Sequence, residues 1–178
     1  MNYAPEFAVM ADRLFYVYLL WVSCQDAKEM QVVRYSHLTG ILAIVIKLIC
    51  YSIDDIASGD SLGNVCAGRN IVVILVGAAI LSGIQYMSCR QKLYGVADGI
   101  VFWVGGMFLL VERLGVKGAA EEMVFSGLTA FFMMQALSGL LLILVQAAKG
   151  NIKSGIFKQS IAYIPYISVA FFLTKGVL

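Results

Sequence analysis

Residues 94–113, YGVADGIVFWVGGMFLLVER, place one carboxylate, Asp98, at the start of an apolar stretch of membrane-spanning length. A spanning helix needs about 20 mostly apolar residues. An acid inside such a helix is costly, and it usually marks a functional site or pairs with another polar group. The stretch therefore predicts a membrane helix with Asp98 about one turn inside its start.

The composition excludes a soluble domain and gives no sign of a nucleic-acid partner. Of the 178 residues, 61% are hydrophobic and 13% are charged, and the mean hydropathy is +0.86. A soluble domain of this length could not bury so much apolar surface, so we expect an integral membrane protein. The net charge of +2 is too small to indicate binding to nucleic acid.

Neither the cysteines nor the N-terminus carries a recognised signal. The four cysteines and the single His37 lack the spacing of metal ligands, so we predict no metal and no cofactor. We interpret the cysteines as small polarizable residues of the membrane core or interface. Glu6 and Asp12 stand where a signal peptide would be basic, so no cleaved signal peptide is expected.

Six apolar stretches qualify as spans, and together they predict the architecture. They lie near residues 5–24, 38–56, 70–88, 94–113, 123–148 and 157–177. The runs are continuous rather than alternating, which favours helices over barrel strands. Small residues recur inside them and permit close helix contacts. We expect an all-α, polytopic membrane protein whose residues 1–178 form a single membrane-embedded domain.

The charges of the loops predict an orientation. Seven cations fall in or beside the first, third and fifth loops: Lys28, Arg34, Arg90, Lys92, Lys149, Lys153 and Lys158. Three fall in or beside the second and fourth: Arg69, Arg113 and Lys117. The excess of cations marks the cytoplasmic side, so the odd-numbered loops are expected in the cytoplasm and both termini outside.

This orientation brings Asp26 and Asp98, 72 residues apart, to the same cytoplasmic boundary. Two neighbouring carboxylates cannot both ionise cheaply, so they share one proton. One can then accept a proton from water while the other donates to a carbonyl oxygen, as in aspartyl proteases. The alternative is structural: Asp26 is a hydrated interfacial residue, and Asp98 interacts with the positive end of its helix dipole.

Three segments resemble the type IV prepilin peptidases, which include the archaeal preflagellin peptidases and belong to the GxGD-type intramembrane aspartyl proteases. Residues 23–46, SCQDAKEMQVVRYSHLTGILAIVI, resemble the first family signature, in which an aspartate ends the first helix. Residues 94–110 resemble the second, Gly-x-Gly-Asp, at the start of the fourth helix. Residues 160–173, SIAYIPYISVAFFL, resemble the late segment with its proline. The resemblance covers nearly the whole chain in order.

The resemblance implies a hydrolase: an aspartic endopeptidase that removes the short basic leader of prepilin-like precursors at the cytoplasmic face of the inner membrane, as in type IV pilus assembly and protein secretion. By similarity, Asp26 and Asp98 match the catalytic aspartates, and Gly95 matches the first glycine of the second signature. Pro165 matches the late proline, which we interpret as structural. The first loop is short and lacks the cysteine tetrad of larger relatives, which implies a peptidase without methyltransferase activity. Glu29 is a candidate contact for the basic leader.

The chain departs from the family pattern at three places. Ala97 replaces the second glycine, residues 32–36 read VVRYS where an Ile-Pro-Asn-like run is usual, and Ile100 stands where a lysine is common. These departures indicate a divergent member and favour one alternative, a non-catalytic relative that acts as an assembly or scaffold subunit.

A second alternative is a small transporter that uses Asp98 and Lys47 as a polar path through the membrane. It is disfavoured because we expect the charges to cluster at one membrane face. Lys47, in the middle of the second span, either faces the catalytic cavity or bonds to another polar group. The sequence does not predict the precursor or the oligomeric state.

Overall fold

The computed structural model describes residues 4–33, 35–57, 61–91, 95–114, 120–149 and 161–177. They form six helices: α1 (Ala4–Glu29), α2 (Ser36–Ala57), α3 (Ser61–Arg90), α4 (Val96–Leu114), α5 (Ala120–Ala148) and α6 (Ile164–Val177). No strand occurs within these ranges, so the prediction of an all-α fold is confirmed. Segments of α1, α2, α3 and α5 are long and apolar enough to cross a membrane.

The remaining two helices differ from these four for identifiable reasons. α4 carries three charged residues among its 19, namely Asp98, Glu112 and Arg113. α6 contributes 14 described residues, and the predicted start of its span at residues 157–160 lies outside the described ranges. The six helices therefore match the six predicted spans in number and order, while the class of membrane protein rests on the four long apolar helices.

Three helix boundaries differ from the predicted spans by five residues or more, and one of them is the start of α6, which lies at Ile164 instead of near residue 157. α1 continues to Glu29, beyond the predicted end at residue 24, and α3 begins at Ser61 instead of near residue 70. The predicted second loop, residues 57–69, was therefore wrong over most of its length. Hydropathy locates only the part of a helix that can lie in hydrocarbon, whereas backbone hydrogen bonding continues through the polar turns that follow.

The orientation stays a prediction. Five of the cations on which it was based lie outside the described residues: Arg34, Lys92, Lys117, Lys153 and Lys158. Three of the others, Lys28, Arg90 and Lys149, are exposed, as expected for side chains beyond the apolar part of the bundle.

α4 is the central helix of the bundle. It contacts α2, α3, α5 and α6, and Phe108 stacks on Phe15 of α1 with ring centroids 3.9 Å apart. Twelve of its 19 residues are buried. A Cβ on Gly106 would lie 2.7 Å from the Phe131 ring, so the missing side chain lets α4 and α5 approach closely. α4 therefore presents Asp98 at one end of the core and Glu112 at the other.

The outer surface of the bundle is apolar. Large hydrophobic side chains such as Leu20 of α1, Leu75 of α3 and Phe125 of α5 are more than half exposed. Such an extensive apolar surface is unfavourable in water and is compatible with lipid.

Candidate active site

Asp26 lies in the last turn of α1 and caps a different helix. Its side chain is 7% exposed, and Oδ2 accepts the backbone N–H of Ile164, the first residue of α6, at 2.9 Å. The backbone N–H of Tyr163 also donates to this carboxylate. The alternative that Asp26 is a hydrated interfacial residue is therefore wrong. Asp26 instead satisfies donors that the start of α6 leaves without intrahelical partners.

Asp98 caps its own helix. It is the third residue of α4, and Oδ2 accepts the backbone N–H of Gly95 at 3.0 Å. This is the acidic half of a capping box, in which the third helical residue bonds back to the residue before the helix. The carboxylate also lies at the positive end of the helix dipole. This position agrees with the alternative in which Asp98 stabilises its own helix and has no catalytic role.

Gly95 and Ala97 have different structural requirements. A Cβ on Gly95 would lie 3.2 Å from Oδ2 of Asp98, so glycine leaves space for the capping carboxylate. Ala97 is half-buried within the first turn of α4 and packs against the core. The only non-glycine residue with positive φ in the described ranges is Met30, at 50°. Ala97 therefore occupies an ordinary helical conformation that does not require glycine.

The fold brings Asp26 and Asp98 to one end of the bundle, close enough for the charge of one to act on the other. We call them the carboxylate pair. Neither has an ion-pair partner among the described residues, and both accept backbone N–H groups at helix starts. Two carboxyl groups that both reach one water molecule can divide the roles of proton acceptor and proton donor.

The neighbouring ends of α1 and α2 are joined by side-chain hydrogen bonds. Ser36 Oγ donates to Gln25 Oε1 at 2.9 Å, and the Tyr18 hydroxyl lies 3.1 Å from Nδ1 of His37. Glu29, the last residue of α1, is exposed one turn beyond Asp26. The acid proposed to contact the substrate is thus accessible, and it lies on the same helix as one member of the carboxylate pair.

A groove lies between α3 and the first turns of α4, the helix that carries Asp98. It has a volume of about 330 Å³ and is lined by Ser82, Gln85, Tyr86, Val96, Gly99, Ile100 and Trp103. The Trp103 ring nitrogen donates to Ser82 Oγ at 3.1 Å across the groove.

Pro165, the second residue of α6, occupies a first-turn position that does not need its missing N–H.

Lys47 does not face the carboxylate pair. Its Nζ lies 2.5 Å from Asp12 Oδ1 and 2.9 Å from Glu112 Oε1. Lys175 Nζ lies 2.6 Å from the same Glu112 oxygen and 3.5 Å from Asp12. We call these four residues, from α1, α2, α4 and α6, the ion-pair quartet. Both ammonium groups also lie over the Phe108 ring, at 4.4 and 5.3 Å from its centroid.

The quartet corrects the expectation that the charges cluster at one membrane face. The sequence pattern did not identify Asp12 and Glu112 as partners of Lys47, or Lys175 as the second cation of the quartet. The available signal was the presence of charges of both signs inside predicted spans, since opposite charges in membrane helices pair with each other.

Comparison with known proteins identifies no relative. No protein-family model, curated protein or solved structure matches the chain. Within the described ranges, no group of three or more His, Cys, Asp or Glu residues is arranged to hold a metal ion. Cys24 and Cys50 are not disulfide-bonded.

Proposed function

We propose that the chain is an intramembrane aspartic endopeptidase that removes the leader peptide from prepilin-like precursors, the type IV pilins and pseudopilins, at the cytoplasmic face of the inner membrane. The observation that carries this proposal is the carboxylate pair. Two acids 72 residues apart lie at the same end of the bundle, near enough for the charge of Asp26 to act on Asp98, without a cationic partner in the part of the chain that is described. The resemblance of the surrounding sequence to the prepilin peptidases supplies the substrate class.

The chemistry needs one proton shared between two carboxyl groups. The ionised member takes a proton from water as the oxygen attacks the scissile carbonyl carbon, and the protonated member donates to the carbonyl oxygen. When the tetrahedral intermediate collapses, the C–N bond breaks and the proton taken from water passes to the leaving amine, while a hydroxyl of the intermediate returns its proton to the other carboxylate as the C=O bond re-forms. The roles belong to the pair, because coupled carboxyl groups exchange their protons as one unit.

The proposed substrate has a basic leader followed by an apolar helix. The leader is attracted to acids at the cytoplasmic face, where Glu29 is exposed one turn beyond Asp26. We expect Glu29→Gln to raise KM about threefold with little change in kcat, because an exposed ion pair contributes roughly 0.2–1 kcal/mol. A KM that does not change, or a change confined to kcat, would remove Glu29 from the substrate site.

Cleavage of a pilin-type precursor in cells tests the proposal. The wild-type chain, Asp26→Asn and Asp98→Asn are each co-expressed with the precursor, and the leaderless product is measured by its mobility and by its new N-terminus. Asparagine retains an oxygen acceptor for the capping N–H but cannot take part in proton exchange, so both variants should lose cleavage by about 10²–10⁴-fold.

The matched control is Glu121→Gln, which removes one negative charge from an exposed position at the start of α5. It should cleave like the wild-type chain. Undiminished cleavage by either asparagine variant would exclude the carboxylate pair as the catalytic centre, and a wild-type chain that leaves the precursor intact would exclude the peptidase.

A non-catalytic scaffold subunit is the second candidate function. The observation that favours it is that both acids cap helices, a role that a protein without catalysis would also retain. A scaffold would co-purify with uncleaved precursor, and its Asp26→Asn variant would bind the precursor equally well. The transporter alternative has less support, because the four charges of the quartet are bonded to one another; solute flux into proteoliposomes would revive it.

A further inference from the structure

Tyr163, the residue before α6, contacts the surroundings of both carboxylates. Its backbone N–H donates to Asp26, as does that of the next residue, Ile164. Its ring packs edge-on against Phe102, with centroids 5.9 Å apart and an interplanar angle of 64°. Phe102 lies four residues after Asp98 on α4, which is about one helical turn.

A hydrogen bond to α5 fixes the orientation of the Tyr163 ring. The Tyr163 hydroxyl lies 2.9 Å from Oγ of Ser138, and the same Oγ lies 2.8 Å from the carbonyl oxygen of Gln135. A serine hydroxyl has one proton. Because the Gln135 carbonyl can only accept, Ser138 donates to it, and the Tyr163 hydroxyl must donate to Ser138.

The Tyr163 backbone holds one carboxylate, its ring lies against the helix that carries the other, and its hydroxyl is bonded to a third helix. We infer that Tyr163 sets the separation of Asp26 and Asp98. It acts as a positioning residue through Ser138, and neither residue takes part in proton exchange with the substrate. This inference rests on the proposed peptidase function, since it concerns the geometry of the same two carboxylates.

The physical basis is the sensitivity of a two-carboxylate centre to distance. Acid–base catalysis requires both groups to be within hydrogen-bond reach of one water molecule. Small displacements of catalytic groups cause large losses of rate, whereas substrate binding along the rest of the protein is unaffected. Releasing the Tyr163 ring from α5 should therefore lower kcat and leave KM nearly unchanged.

Three variants test the inference in the precursor-cleavage assay with purified protein. Tyr163→Phe keeps the ring contact with Phe102 and removes only the hydroxyl. Ser138→Ala removes the acceptor of the same hydrogen bond. Each should lower kcat about tenfold at constant KM, and the double variant should be no slower than either single variant, because all three lack one and the same bond. Ser138→Thr, which retains a hydroxyl, should recover most of kcat.

The control is Thr129→Ala, which removes an exposed hydroxyl of α5 that donates to the backbone carbonyl of Phe125 at 2.9 Å, as the Ser138 hydroxyl does to that of Gln135. It should leave both the kcat and the KM of the precursor at their wild-type values. Detergent-solubilised variants are compared by size-exclusion chromatography and thermal unfolding, so that a fall in kcat is measured only on folded protein.

The outcomes separate this inference from the proposed function. If Asp26→Asn is inactive while Tyr163→Phe and Ser138→Ala keep the wild-type kcat, the peptidase stands and the positioning role is wrong. Additive losses in the double variant, or losses in KM rather than kcat, would also overturn it. If the wild-type chain does not cleave the precursor, both the function and the positioning role are refuted.

Discussion

The carboxylate pair and the ion-pair quartet use the same two helices in opposite ways. α1 carries acids at positions 12 and 26, and α4 carries acids at positions 98 and 112, so the spacing is 14 residues in both helices. Fourteen residues span about 21 Å and return nearly to the same helix face. At one end the acids face two lysines, and at the other they accept backbone N–H groups.

Carboxylate side chains are thus held in two ways in this protein, by ammonium groups in the quartet and by helix starts in the carboxylate pair. An ammonium group within salt-bridge distance keeps a carboxylate ionised and fixes its charge. A helix start supplies hydrogen bonds and only a partial positive charge, which orients a carboxylate without matching its full charge. The quartet is therefore suited to holding α1, α2, α4 and α6 together, and the pair to exchanging a proton.

The largest expected effect separates hydrogen bonding from proton exchange at Asp26. Both Asp26→Asn and Asp26→Ala should lower cleavage by about 10²–10⁴-fold. Only alanine should also destabilise the protein, by about 1 kcal/mol, because it removes the acceptor for the Ile164 N–H. Thermal unfolding in detergent measures the second effect. If Asp26→Asn lowers the unfolding temperature as much as Asp26→Ala, then the cap of α6 depends on the charge of Asp26. The carboxylate pair would then differ less from the ion-pair quartet than we propose.

The next effect concerns stability. Lys47→Met leaves two carboxylates with one ammonium group in a site where Lys47 is 2% exposed. Breaking such a buried pair should lower the free energy of unfolding by about 3–5 kcal/mol. The double variant Lys47→Met/Asp12→Asn restores neutrality and should recover part of the loss. A single variant as stable as the wild-type chain would show that the quartet does not hold the helices together.

A chemical label tests whether the carboxylate pair holds a proton. Hydrophobic carbodiimides react with protonated carboxyl groups, and mass spectrometry locates the adduct. At neutral pH we expect an adduct on Asp26 or Asp98 in the wild-type chain, because two coupled carboxyl groups share one proton. The absence of an adduct from both residues would contradict a shared proton.

The smallest effect tests the departure from the family signature. Ala97→Gly restores the second glycine of Gly-x-Gly-Asp at a position with ordinary helical conformation. It should lower stability by roughly 0.5–1 kcal/mol, as glycine does within helices, without raising kcat. Gly95→Ala is the informative counterpart, since its Cβ would press on Oδ2 of Asp98 and should lower kcat. A gain in kcat for Ala97→Gly would indicate that the extra methyl group impairs the site.

The sequence predicted the helices better than the contacts between them. Apolar length identifies a span because the bilayer sets the length that must be apolar, and all six helices were found in order. The polar ends were missed where α1 and α3 continue past the hydrocarbon. Loop charges predicted that the helix ends carrying Asp26 and Asp98 lie on the same side, and both acids do lie at one end of the bundle; their catalytic role stays a prediction.

The partners of the buried groups could not be predicted in this way. Neither the bond between Asp26 and the start of α6 nor the contacts of Lys47 with Asp12 and Glu112 follows from span order, because they depend on how helices rotate and pack. The bond from Tyr163 to Ser138 also depends on the path of the chain into α6. Only a three-dimensional structure identifies these interactions.

The bond between Asp26 and Ile164 has a consequence for the order of synthesis. The two residues are 138 positions apart, and α6 also supplies Lys175 to the quartet. A chain still emerging from the ribosome can form α1 to α5, but it completes neither charged site until α6 has been made. For the proposed peptidase, cleavage is therefore expected only after synthesis has passed α6.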